Sequence, residues 1–279
     1  SSSDELLDKL LDEQGRMILA FDIGNSNVVM GAFDSGRLLH SWRMHSDPDG
    51  SRDEYLMLVR NLLAAGGFRP DQFDGAVQGS VVPKLSLVFQ SLIQQLIGQA
   101  PLTVRHDLDL GIRIATDAPE LVGQDRIANA VAAYLEYGTA LVVIDCGTAT
   151  KLEVVTEDGD FLGGIICPGL GISAEALFSR AAQLHQVNLE LPEKVIGRNT
   201  AASIQSGLLH GHAAMITCLL DRIRVELRES GSLEPLIIGT GGLIARLIPA
   251  LPKLIHRDDL TLQGLSRIHL RNVKTPNAD

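Results

Sequence analysis

Asp22, Ile23, Gly24, Asn25, Ser26 and Asn27 follow the apolar run Met17 to Phe21, and Asp145, Cys146, Gly147, Thr148, Ala149 and Thr150 follow the apolar run Leu141 to Ile144. Each stretch places one carboxylate, one glycine and small hydroxyl or amide side chains at the end of a strand-like segment. Glycine lets backbone N–H groups approach an anion with no Cβ in the way. The carboxylate anchors magnesium through water, and Asn, Ser and Thr donate to phosphate oxygens. One such turn is ordinary, because Asp, Asn and Gly are the usual turn residues; two, each at the head of one half of the chain, predict a duplicated nucleotide-phosphate site. Thr240, Gly241 and Gly242 lie between a strand and a helix start, where free backbone N–H groups face a ligand. Alone they read as a strand-to-helix turn; with both Asp-Gly turns upstream they read as the nucleoside contact of a two-lobed phosphotransferase. Gly123, Gln124, Asp125 and Arg126 open a helix. An acid in a first turn is favoured by the helix dipole, so an ordinary helix start is one reading. The other makes Asp125 a base for a substrate hydroxyl and Arg126 a bidentate anchor for a substrate anion. Spacing leaves both open.

The elements that must position these groups are legible as apolar periodicities. Ile18 to Phe21, Val28 to Phe33 and Arg37 to Arg43 read as three short strands joined by tight turns, an antiparallel meander. Tyr55 to Ala65 and Leu85 to Leu96 have helical spacing, with a strand at Gly75 to Ser80 between them. The second half repeats the order: a helix over Asp125 to Tyr137, strands at Ala140 to Ile144, Leu152 to Val155 and Phe161 to Ile166, helices at Ser173 to Leu184 and Ala201 to Arg228, a strand at Pro235 to Gly239 and a helix from Leu243. Residues before Met17, with leucines at helical spacing, read as a tag remnant or a short surface helix. Three segments are expected: 1–16 as an extension or tag, 17–122 as a first lobe with the first phosphate loop, and 123–279 as a second lobe with the second loop and the adenosine motif.

Other chemistries are set aside on the residues. The chain has 279 residues, 45% hydrophobic and 21% charged, as expected of globular lobes, and no apolar stretch nears the roughly 18 residues that span a bilayer. A formal net charge of −10 and no basic cluster with interleaved aromatics argue against nucleic acid as a partner. The polar, acidic first residues lack the form of a signal peptide, which predicts a cytoplasmic protein. Cys146, Cys167 and Cys218 form no C-x-x-C pair and are expected to be reduced, mostly buried thiols. Gly169 to Ala174 matches G-x-G-x-x-A, but Pro168 precedes it and no acid ends a second strand about 20 residues on; it reads as a glycine-rich bend between lobes. His210 and His212 stand i, i+2 on a helix and do not share a face, so a structural role is expected. No P-loop and no G-x-S-x-G elbow occurs.

Taken in order and spacing, these residues resemble one family, the type III pantothenate kinases of the acetate and sugar kinase, Hsp70 and actin superfamily. The likeness runs from Met17 to about Asn272 and rests on Asp22 to Asn27, Gly79 to Pro83, Gly123 to Asn129, Asp145 to Thr150, Gly163 and Gly164 with Pro168 to Leu170, Gly197 to Thr200, Thr240 to Gly242 and Leu262 to Leu265. It implies an α/β fold of two similar lobes with ribonuclease H-like mixed sheets flanked by helices, the actin-like duplication. It further implies phosphorylation of pantothenate by ATP, the first step toward coenzyme A, by a homodimer. Asp22, Ile23, Gly24, Asn25, Ser26, Asn27, Val28 and Val29 would form the first phosphate loop, with Asp22 near Mg2+. Thr148 would touch the ATP phosphates from the second loop, and Gly241 and Gly242 the nucleotide. Asp125 would be the general base, Gly123, Gln124, Asp125, Arg126 and Thr200 would hold pantothenate, and Asp145 would bind K+ or NH4+. Five positions depart from the family's pattern. Thr116 replaces a tyrosine that walls the pantothenate pocket, Lys151 replaces a small hydroxyl residue after the second loop, and Ser26, Arg198 and His185 replace threonine, lysine and proline. The alternatives are a kinase of the same fold for another small hydroxylated substrate and a non-catalytic accessory or regulatory member.

Overall fold

The computed structural model describes residues 16–180 and 187–273. The expected N-terminal segment up to residue 15, the end of the helix expected to reach Leu184, and His185 lie outside them. The chain forms two compact units. One holds the described residues through Gly111 together with Ala118–Ala132 and the chain from Leu260; the other holds Ile112–Asp117 and Ala133–Asp259. The division is interleaved in sequence, where the sequence reading expects one cut after residue 122.

In the first unit, β1 (Met17–Ile23), β2 (Asn27–Asp34) and β3 (Arg37–His45) form the antiparallel meander, and β4 (Gly75–Ser80) and β5 (Leu102–Thr103) add parallel to β1, giving the order β3-β2-β1-β4-β5. Central β1 is apolar almost throughout and buried, as a strand covered on both faces must be, whereas edge strand β3 alternates and stays largely exposed. One face carries α1 (Arg52–Ala65) and α2 (Pro83–Ile97). They bury Tyr55, Leu56, Val59, Leu63, Leu85, Phe89 and Leu92 against Phe21, Ile23, Val28 and Met30. Ser51 and Glu54 form a capping box that fixes the start of α1. Helix α3 (Gln124–Tyr137) begins in this unit, and α7 (Leu260–Asn272) packs on β1, β2 and β4. Gly264 explains why the last helix belongs here: a Cβ on it would lie 1.9 Å from the Ala128 carbonyl oxygen, so only glycine lets α7 approach α3 this closely.

The second unit repeats the plan. β7 (Leu141–Cys146), β8 (Ala149–Val155) and β9 (Asp160–Pro168) form a meander, β10 (Leu236–Thr240) and β11 (Ile255–His256) add parallel beside β7, and β6 (Arg113–Ile114) extends the far edge beside β9. The order β9-β8-β7-β10-β11 is that of the first sheet. Helices α4 (Leu170–Arg180), α5 (Thr200–Glu229) and α6 (Ile244–Leu247) cover Val142, Ile144, Leu152 and Val154. Gly169 to Ala174 is therefore not a bend between lobes: the run opens α4 inside the second unit, with Ser173 N donating to Gly169 O at 2.9 Å. The duplicated architecture of mixed sheets flanked by helices is the actin-like α/β fold.

Candidate functional site

In the first unit the chemistry gathers at the carboxyl ends of β1 and β4. Asp22 pairs in parallel register with Gly79, and Ile23 with Ser80, so the first loop and the end of β4 share one sheet edge. Gly24 N donates to Asn27 O at 3.0 Å, closing a turn that exposes Asn25 and Ser26 while Asp22 stays half-buried and Val28 buried. The start of α3 is fastened to the same edge, because Ser80 N donates to Gln124 Oε1 at 2.8 Å. Gln124 thus positions the helix. Its neighbour Asp125 accepts from Arg126 N at 2.9 Å through Oδ1, and Ile127 N donates to Gly123 O at 3.1 Å. A Cβ on Gly123 would come within 2.7 Å of that carboxylate oxygen and 3.6 Å of Arg126 Cδ. Gly123 is therefore the residue whose missing side chain leaves Asp125 and Arg126 room. Asp22 with the Asn25–Ser26 turn, and Gly123–Arg126, are brought together in one unit from two separate stretches of sequence.

In the second unit the corresponding edge is formed by β7 and β10, with Thr240 in parallel register beside Asp145. Gly147 N donates to Ala149 O at 3.0 Å, closing a loop one residue shorter than the first and leaving Thr148 exposed. Gly241 adopts φ +91, a conformation that favours glycine, and a Cβ there would be 2.6 Å from Asp145 Oδ1. Leu243 N donates to Cys146 O at 3.1 Å, so the Thr240–Gly242 turn is packed onto the second loop. Gly169 supports the loop from the other direction, since a Cβ on it would lie 2.1 Å from Thr148 O. Asp145 faces Lys151 across the β7–β8 ladder, and Lys151 Nζ donates to Asp145 Oδ2 at 2.9 Å with both side chains only 14% exposed. That carboxylate already holds a cation supplied by the chain, so the donor set does not fit the additional monovalent cation expected at Asp145.

Thr200 is exposed at the first position of α5, after Asn199, whose side chain accepts from Ala202 N at 2.8 Å and caps the helix. Thr116, beside Gly163, buries a hydroxyl that has no partner among the described residues.

The sequence model of a family described as type III pantothenate kinase matches residues 18–222. The chain belongs to the type III pantothenate kinase family. A type III pantothenate kinase of Syntrophotalea carbinolica is 39% identical over 258 residues, 92% of this chain and 99% of that relative. One of Pelobacter propionicus is 38% identical over 257 residues, 92% and 100% of the two chains. A crystal structure of a Campylobacter jejuni protein ascribed to the Baf family of transcriptional activators superposes with a TM-score of 0.58 at 20% identity, covering 90% of this chain and 96% of that one, and shares the fold.

Several groups of this type III pantothenate kinase family member stand outside the chemistry. His212 Nε2 lies 2.8 Å from the Thr150 hydroxyl in the interior, where burial lowers the ring's proton affinity, and His210 Nε2 lies 2.9 Å from Pro192 O. Both are engaged within the fold, and no cluster of metal-ligating side chains occurs among the described residues. The expectation of mostly buried thiols needs correction: only Cys146 is buried, Cys167 is half-buried and Cys218 is exposed on α5. Burial, reinforced by the adjacent Asp145 charge, pushes the Cys146 thiol up to about 12, so it stays an unreactive packing group. No described helix is long and apolar enough to cross a membrane. Sequence reasoning missed the bracing of the active loops by Gln124 and Gly169, because both act through contacts between distant stretches.

Proposed function

We propose that this chain transfers the γ-phosphoryl group of ATP to the primary hydroxyl of pantothenate, with Asp125 as general base. The observation that carries the reading is the fastening of Gly123–Arg126 to the sheet edge that also bears the Asp22 loop. An acid that merely favours a helix start needs no such bracing, and no glycine to clear its carboxylate. In the reaction the hydroxyl oxygen bonds to the γ-phosphorus as the bond to the ADP oxygen breaks, and the hydroxyl proton passes to the Asp125 carboxylate. Arg126 suits the pantothenate carboxylate, which a guanidinium binds through two parallel hydrogen bonds. Thr200 is assigned to the same substrate. Asn25, Ser26 and Thr148 donate to ATP phosphates, with Gly241 and Gly242 allowing close approach of the nucleotide. Asp22, with the Asn25 and Ser26 oxygens, makes an oxygen-only donor set that fits hydrated magnesium, whose charge neutralises phosphate oxygens when bound. The relatives named above as type III pantothenate kinases support the substrate assignment.

The homodimer is part of the same proposal, supported by Leu162, Ile166 and Ile172, exposed apolar side chains on β9 and α4 that a subunit contact would cover. The same proposal assigns the chain to the cytoplasm, the compartment that supplies ATP.

The test is pantothenate-dependent ADP release by the wild type and by Asp125→Asn. Loss of a general base predicts a fall of about 10²- to 10⁴-fold in kcat with nucleotide binding retained. Near-wild-type turnover in the variant would remove Asp125 from the base role.

A further inference from the structure

We propose that the Lys151 ammonium acts as a built-in monovalent cation at Asp145, so that nucleotide binding and turnover by this chain require neither potassium nor ammonium in solution. The inference rests on the phosphotransferase reading above and concerns what holds the second phosphate loop in working order. Four observations carry it. First, the antiparallel register of β7 and β8 sets Asp145 and Lys151 directly opposite each other, so the pairing is fixed by the sheet and not by a flexible surface encounter. Second, Nζ lies 2.9 Å from Oδ2 and the two side chains are almost fully covered, which keeps water and salt from screening the pair. Third, the other carboxylate oxygen faces the Gly241 backbone so closely that a Cβ there would be 2.6 Å away. The carboxylate is therefore set between the Thr240–Gly242 turn and the chain's own cation. Fourth, the loop that Asp145 heads is the one that presents Thr148.

The chemistry is that of substitution of like for like. A lysine ammonium carries the same single charge as potassium or free ammonium, is compact, and has three rotatable donors. Being tethered, it is present at a local concentration that solution salt does not set. A second monovalent cation placed on Asp145 would meet this ammonium at short range with little intervening water, where like charges repel most strongly. Lys151 is thus a positioning residue: it neutralises Asp145 and holds the carboxylate against the turn, without contacting the reacting atoms.

The experiment compares wild type, Lys151→Thr and Lys151→Arg in potassium, ammonium, sodium and tetramethylammonium chloride at equal ionic strength. Binding of a non-hydrolysable ATP analogue with magnesium is measured by calorimetry, alongside pantothenate-dependent turnover. For the wild type, affinity and kcat are expected to agree within about twofold across all four salts, well under the tenfold step that 1.36 kcal/mol produces. Lys151→Thr is expected to lose about tenfold or more in nucleotide affinity in tetramethylammonium and to regain it with potassium or ammonium. Lys151→Arg, which keeps the charge, should remain indifferent to the salt. A merely structural lysine would not yield a variant rescued by free cations. Tenfold tighter nucleotide binding by the wild type in potassium than in tetramethylammonium would overturn the proposal, whether or not the variants fold. Absence of pantothenate phosphorylation in every salt would count against the functional reading alone, since the binding comparison decides the cation question independently.

Discussion

One methyl group at residue 123 decides where a carboxylate sits. Gly123 leaves open the volume that Asp125 Oδ1 occupies, and a Cβ added there would come within 2.7 Å of that oxygen. Gly123→Ala is therefore expected to turn the Asp125 carboxylate away while leaving α3 folded, because residue 123 precedes the helix as its N-cap, where exchanging glycine for alanine costs only about 1 kcal/mol. A displacement of about 1 Å at a reacting group costs up to about 10²-fold, so kcat should fall about 10- to 100-fold with nucleotide affinity little changed. Steady-state kinetics beside calorimetry check this, and an unimpaired Gly123→Ala enzyme would show that the Asp125 position is not critical. The residue types at this site were readable from the sequence, since Asp125 and Arg126 announce their chemistry. The service of Gly123 to its neighbour two positions on was not, because it depends on the local path of the backbone.

The last helix shows what an element can hide. In sequence only Leu262 to Leu265 marked α7, yet the helix buries Leu260, Leu262, Leu265, Ile268 and His269 and closes one face of the first sheet. His269 lies against Gly75 at the start of β4, its Nδ1 without a partner among the described residues. Burial first, and the Arg16 charge second, press its ring down to about 4. An exposed histidine in the unfolded chain titrates near 6.5. Between these values the unfolded chain takes up a proton that the folded chain refuses, so the first unit loses stability as pH falls from about 6.5 to about 4, by about 3 kcal/mol at most. Trp42, the only tryptophan of the chain, is buried in this unit and reports its unfolding by fluorescence. The urea midpoint should fall less steeply over this pH window in His269→Gln than in the wild type; identical slopes would show that His269 protonates freely in the fold. The meander strands and long helices were legible because their apolar spacing runs for many residues. β5, β6 and β11 were not, at two residues each, and Gly169 to Ala174 was taken for a bend because its glycines masked a helix start.

At the scale of the molecule, the duplication visible in two Asp-Gly turns extends to the order of five strands, which is the same in both sheets, with β6 added at the edge of the second. The interleaving of the units was not legible, since it is set by contacts such as Gly264 on Ala128 between residues far apart in sequence. Each unit offers its loop at the carboxyl ends of two parallel strands, the edge at which open α/β sheets bind ligands. Lys151 was visible beside the second loop, but its partner became evident only through the register of β7 and β8. The central claim is transfer of phosphate from ATP to pantothenate, and product analysis of the wild type tests it most directly. With ATP, magnesium and pantothenate, phosphorus NMR and mass spectrometry should find ADP and a pantothenate phosphorylated at its primary hydroxyl in equal amounts, and no ADP when pantothenate is omitted. ADP formed at the same rate without pantothenate, or nucleotide bound with pantothenate left unmodified, would contradict it.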